Sequence, residues 1–170
     1  MTMPTPDSDP DLRLRLQNES TGESRRLLAR AMKDLRRLGY WTRLTDRLYG
    51  LWITVRPPSS KVAEDHHLAH SVVQPFTVGR HLGERCHINF YADAMQDEIE
   101  EITEEAAGAG TPPSPELVQT VWTSILAHEL SHCLPYETKA GVRVGGPEPR
   151  ARKWEKKVAN DLIAEIEAEG

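Results

Sequence analysis

His128 and His132 stand four residues apart, with Glu129 beside the first, in the run Ala127-His128-Glu129-Leu130-Ser131-His132-Cys133. On a helix a spacing of four puts both imidazoles on one face, where they can grip a single Zn²⁺. Glu129 is one residue on, about 100° round the helix, and can reach a water at the metal's open position. The chemistry such a group performs is hydrolysis. The metal lowers the pKa of its water toward about 7 and the glutamate takes the proton.

The surroundings of the motif sharpen that reading. Leu117, Val118, Val121, Trp122, Ile125, Leu126, Leu130 and Cys133 form one apolar arc on a helical wheel, and His128, Glu129 and His132 fall inside it. Thr120, Ser124, Ala127 and Ser131 occupy the other side. Ionisable groups on a buried face need partners, because an unpaired buried charge is costly. A metal supplies one; two hydrogen-bonded core histidines are the plainer alternative.

A zinc site of this kind needs a third protein ligand. No histidine follows His132, so the candidates are the downstream carboxylates. In the last helix Trp154, Val158, Ala151, Leu162, Ile166, Ala159 and Ile163 make the apolar arc, and Glu155 falls near its middle. A carboxylate in an apolar stripe requires a partner, which makes Glu155 the expected third ligand. An ion pair from Glu155 to Arg25 or Arg36 would satisfy it equally, and Glu148 in the preceding loop is the reserve ligand.

The elements around the motif read as follows. Residues 1–22 are rich in proline and aspartate and are expected to form a flexible tail ahead of a single domain at 23–170. Leu27, Leu28, Ala31, Leu35 and Leu38 recur at helical spacing from Ser24 to Gly39. The opposite face carries Arg25, Arg26, Arg30, Lys33, Arg36 and Arg37, a solvated face or a patch for anions. Strands are expected at 48–55, around 72–78 with Pro75 suiting an edge, and at 86–92. The acidic run at 97–105 suits a short exposed helix. Ser114-Pro115-Glu116 opens the motif helix, Pro135 stops it, and a final helix runs from about Pro149 to Ala168. The fold class is α+β, with an N-terminal helix, a small mixed or antiparallel sheet of three to four strands and two closing helices.

His128-Glu129-xx-His132 followed by a glutamate on the next helix resembles the gluzincin branch of the zincin metallopeptidases. The element order is similar to the upper subdomain of that fold. The closing segment Ala159-Asn160-Asp161-Leu162-Ile163-Ala164-Glu165-Ile166 also resembles the ImmA/IrrE-like small intracellular metallopeptidases, where an Ala-Asn or Ala-Asp pair follows the ligand glutamate; here Lys156, Lys157 and Val158 intervene. The resemblance implies a single zincin-like domain with one Zn²⁺ and peptide-bond hydrolysis with Glu129 as general base. It also implies an edge strand that pairs with extended substrate, a place that Cys86 to Ala92 would take. Tyr136, Arg143, His81 and His87 are the candidates to stabilise the oxyanion.

The chain's bulk properties bound the alternatives. Its 170 residues make about one domain, and a net charge of −5 argues against a dedicated nucleic-acid binder. No apolar run approaches the roughly 20 residues of a membrane span. The polar, acidic start lacks a leader pattern, so a cytoplasmic location is expected, with Cys86 and Cys133 as free buried thiols. Three histidines within residues 65–70 read as a polar loop rather than a second metal site. The expected partner is a protein or peptide substrate, with one dedicated partner protein as an option, and no nucleic acid or membrane. The competing functions are a non-catalytic, zinc-stabilised protein-interaction module and a zinc hydrolase of a non-peptide amide or ester.

Overall fold

The computed structural model of the chain describes residues 13–18, 21–46, 48–56, 69–78, 81–134, 136–137, 143–144 and 147–169. The chain runs β1 (Arg13–Asn18), α1 (Gly22–Arg37), α2 (Tyr40–Thr45), β2 (Leu48–Arg56), β3 (Ala69–Val78), β4 (His81–Tyr91), α3 (Ala92–Ala107), α4 (Pro115–Cys133), β5 (Tyr136–Glu137), β6 (Arg143–Val144) and α5 (Glu148–Glu169). It is a mixed α+β structure. The main sheet has the order β1-β2-β4-β3, in which β1, β2 and β4 are parallel and β3 is antiparallel to β4. β5 and β6 form a separate two-stranded ribbon between the last two helices.

Alternation along β2 and β4 decides which face of the sheet is covered. Leu51, Ile53, Val55, Cys86, Ile88 and Phe90 are fully buried, while Trp52, His87 and Asn89 between them are only half-buried. Phe90 stacks on Trp122 of α4 at 5.3 Å between ring centroids, so the buried set faces the helices. Cys86 is disulfide-bonded to Cys133, the last residue of α4, with Cα atoms 5.6 Å apart. The expectation of free thiols is therefore corrected. Both residues are core positions by their patterning, and they meet because the end of α4 crosses the middle of β4.

Local chemistry explains the helix ends. Thr21 caps α1 by accepting from the Ser24 amide at 3.1 Å, and Gly39 follows the helix with a φ of 82°, a left-handed turn that suits glycine. Ser114 caps α4 by accepting from the Leu117 amide at 3.1 Å, with Pro115 at the first helical position. The basic face of α1 is partly spent internally. Arg30 and Arg37 pair with the buried Asp34, Arg37 also pairs with Glu165 of α5, and Arg36 lies over the Trp41 ring.

Three expectations differ from this architecture. β1 lies within the stretch whose composition suggested a tail; it pairs in parallel with β2 from Arg13↔Gly50 to Asn18↔Val55. The acidic helix is longer than 97–105, because Met95, Ile99 and Thr103 form a buried stripe along α3. Cys86 to Ala92 is not an edge: β4 is interior, and the antiparallel edge strand is β3, which packs against α4.

Candidate metal centre

α4 and α5 pack side by side, and His128, Glu129 and His132 of α4 meet Glu148 and Glu155 of α5. On α4, ligand atoms of His128, Glu129 and His132 lie within 4.8 Å of one another. The two imidazoles meet edge to face, with Nε2 of His132 3.1 Å from Nε2 of His128. Their side chains are 12% and 21% exposed, and Glu129 is buried.

The carboxylates arrive from α5. Glu148, its first residue, spans both rings: Oε1 is 3.1 Å from Nε2 of His128 and Oε2 is 2.9 Å from Nε2 of His132. Glu155 lies on the opposite side of the His128 ring, with Oε1 2.7 Å from Nδ1. The wheel put Glu155 on the correct face, but two turns along the helix it meets the ring's far nitrogen. The carboxylate beside the converging Nε2 atoms is the reserve candidate, Glu148.

The electrostatics follow from this clustering. Burial pulls His128 down, but the hydrogen bond to Glu155 and the charges of Glu129, Glu148 and Glu155 outweigh it and raise its pKa. For Glu148 burial acts upward and is outweighed by His128 and His132, with Arg152 assisting, so its carboxyl is held below the usual range. A Glu155 carboxylate at Nδ1 favours the tautomer with the proton there. Neutral His128 then presents a lone pair at Nε2, toward a carboxylate and the second imidazole. That set of donors could hold a cation at its centre. Donors at bond lengths of about 2.0–2.1 Å around tetrahedral zinc stand about 3.3 Å from one another. The distances of 2.9–3.1 Å here are close to that spacing, so the residues fit the ion.

Among the oxyanion candidates, His87 is removed by direction. It alternates off the helix-facing side of β4, with Nε2 3.1 Å from Thr54 Oγ1 and its ring edge-on to Trp52. His66 and His67 lie outside the described residues, as do the side chains of His70, His81, Tyr136 and Arg143. Tyr91, which feels the Glu129 charge, and its register partner Arg56 were not singled out from the sequence. Tyr91 ends β4 opposite Arg56 in the parallel register with β2. Burial pushes its phenol up; the Arg56 charge opposes that rise and the Glu129 carboxylate adds to it. The third residue missed is Arg150, which reaches the carbonyls at the end of α4. The signal for Tyr91 and Arg56 was their place at adjoining strand ends, which needs the sheet order.

No helix among the described residues is long and apolar enough to cross a membrane. No family model, curated protein or solved structure matches the chain.

Proposed function

We propose that the protein is a zinc-dependent metallopeptidase with a zincin-like site, in which His128, His132 and Glu148 hold the metal and Glu129 is the general base. The observation that carries the reading is the Glu148 carboxylate lying across both Nε2 atoms, with Glu129 in reach of the same point. Glu155 then orients the His128 ring from Nδ1, the usual place for a carboxylate behind a metal-binding histidine. Zinc bound by two imidazoles and one carboxylate supplies a Lewis acid and an acidified water.

The chain's own groups do the rest. Glu129 accepts a proton from the attacking water and returns it to the leaving amine. Its burial keeps that proton from bulk solvent, while the half-exposed Glu148 leaves the site open on its outer side. A peptide substrate is favoured over a small amide or ester because β3, packed against α4, is an edge strand among the described residues and so suits pairing with an extended chain. A single dedicated partner protein remains part of the proposal, since a small domain can offer only part of a recognition surface.

The test is cleavage of a mixed-sequence peptide library by zinc-loaded wild type and zinc-loaded Glu129→Gln, read by mass spectrometry. Cleavage by wild type, lost by about 10²-fold or more in Glu129→Gln, supports a peptidase. Zinc uptake by both proteins with no cleavage by either overturns it in favour of a zinc-stabilised interaction module.

A further inference from the structure

Arg150 bridges the two helices that make the site. Its Nη2 donates to the carbonyl oxygens of Leu134 at 2.6 Å and Ser131 at 2.7 Å, and its Nε donates to Ser131 Oγ at 3.3 Å. These carbonyls belong to the end of α4, where the helix runs out of its own donors and carries the negative end of its dipole. His132 lies between Ser131 and Leu134 in the chain, and Glu148 lies two residues before Arg150. One planar guanidinium therefore ties the turn bearing one imidazole to the turn bearing the carboxylate.

Glu148 needs such an anchor. It is the first residue of α5, its side chain is 48% exposed, and helix starts fray. Arg152 Nε also reaches its carboxylate, at 3.3 Å, but is 75% exposed and worth little as an ion pair. The Cys86–Cys133 disulfide fixes the end of α4 to the sheet, so the anchor on which Arg150 pulls is itself rigid.

Resting on the metal-site reading, we infer that Arg150 is a positioning residue of the metal centre: by clamping the terminal carbonyls of α4 it holds Glu148 across His128 and His132. Its hydrogen bonds to Ser131 and Leu134 act on the end of α4. Its effect on the metal passes through Glu148, and that route can be measured.

The experiment is a double-substitution cycle read by zinc affinity, in competition with a chromophoric chelator, on the full chain. The proteins are wild type, Arg150→Ala, Glu148→Ala and the double variant, with Arg37→Ala as a control that cuts an α1–α5 tie at the other end of α5. Arg150→Ala is expected to weaken zinc binding by about 10–100-fold in the wild-type background. In the Glu148→Ala background, where two imidazoles still bind zinc weakly, it should change affinity by less than about twofold. Arg37→Ala should leave affinity unchanged. Equal losses in both backgrounds, or no loss with Glu148 present, overturn the inference. If Arg150→Ala does not fold, Arg150→Lys carries the same cycle, since an ammonium cannot serve two carbonyls as a guanidinium fork does. Absence of zinc uptake by wild type would sink the metal reading itself, before any Arg150 variant is examined, and this inference with it.

Discussion

Glu155 approaches His128 from Nδ1, at 2.7 Å, while Glu148 approaches the same ring from Nε2, at 3.1 Å. The two glutamates of α5 thus flank one imidazole and have separable roles. Removing Glu148 takes away a donor, whereas removing Glu155 frees the ring to turn and lowers its basicity. Glu148→Ala is expected to lose stoichiometric zinc on dialysis against a trace of chelator. Glu155→Ala should retain it with affinity reduced by about 10–100-fold. Elemental analysis of the dialysed proteins checks this, and the reverse pattern would exchange the two assignments.

The difference between those glutamates marks how far the sequence could be read. Helical spacing located α4 and the pairing of His128 with His132, because four residues bring side chains together whatever surrounds them. A wheel also placed Glu155 toward α4. It gives direction around an axis and not height along it, so it could not say which nitrogen a carboxylate meets. Glu148 was less legible still: its position depends on how α5 begins, which Arg150 sets through contacts with Ser131 and Leu134. The sheet shows the same division. Leu48–Arg56 is evident from its β-branched and aromatic residues, but that β4 is interior and β3 the edge follows from pairing across many residues. β1 was missed because only two of its six residues, RLRLQN, are apolar. Cys86 and Cys133 each read correctly as core; their bond depends on where α4 crosses the sheet.

Phe90 offers a test of the layer contact beneath the site. Its ring is fully buried and stacked on Trp122, one layer below the helix that carries the histidines. Phe90→Ala should destabilise the protein by about 3–5 kcal/mol, the transfer loss plus the cavity left by an aromatic side chain. Phe90→Leu should cost clearly less, because it fills part of that volume. Urea unfolding of the three proteins decides the matter, and equal midpoints would contradict the packing.

Tyr40 gives a pH signature. The residue is buried, its hydroxyl donates to Asp161 of α5, and its ring meets Trp154 edge to face. Burial first, then the Asp161 hydrogen bond and charge, push the phenol from 10.0 to about 12, with Arg43 opposing. Because the folded state holds this proton more tightly than the unfolded one, the stabilisation is complete below pH 10 and is lost as pH rises through about 12. Wild type should therefore lose stability steeply across that window, and Tyr40→Phe should show a shallower loss with one late phenolate fewer in near-ultraviolet titration. Identical stability profiles for the two proteins would rule out the α2–α5 hydrogen bond.

The disulfide makes the last prediction, and it couples stability to the site. Cys86 and Cys133 are 47 residues apart, and closing a loop of that length restricts the unfolded chain by about 4 kcal/mol in the chain-entropy picture. Replacing both by serine should lower unfolding free energy by up to that amount. Cys133 also follows His132 directly and fixes the end of α4 against β4, so the substituted protein, even where folded, should bind zinc more weakly than wild type. Such bonds persist in oxidising surroundings and are rare in the cytosol. Wild type kept in a dithiol reductant should move toward the serine protein in both stability and zinc affinity, at a rate limited by unfolding because both sulfurs are fully buried. Thiol counting under native and denaturing conditions, followed alongside denaturant midpoints, reads both effects. Two titratable thiols in unfolded, unreduced protein would show that the bond is not formed.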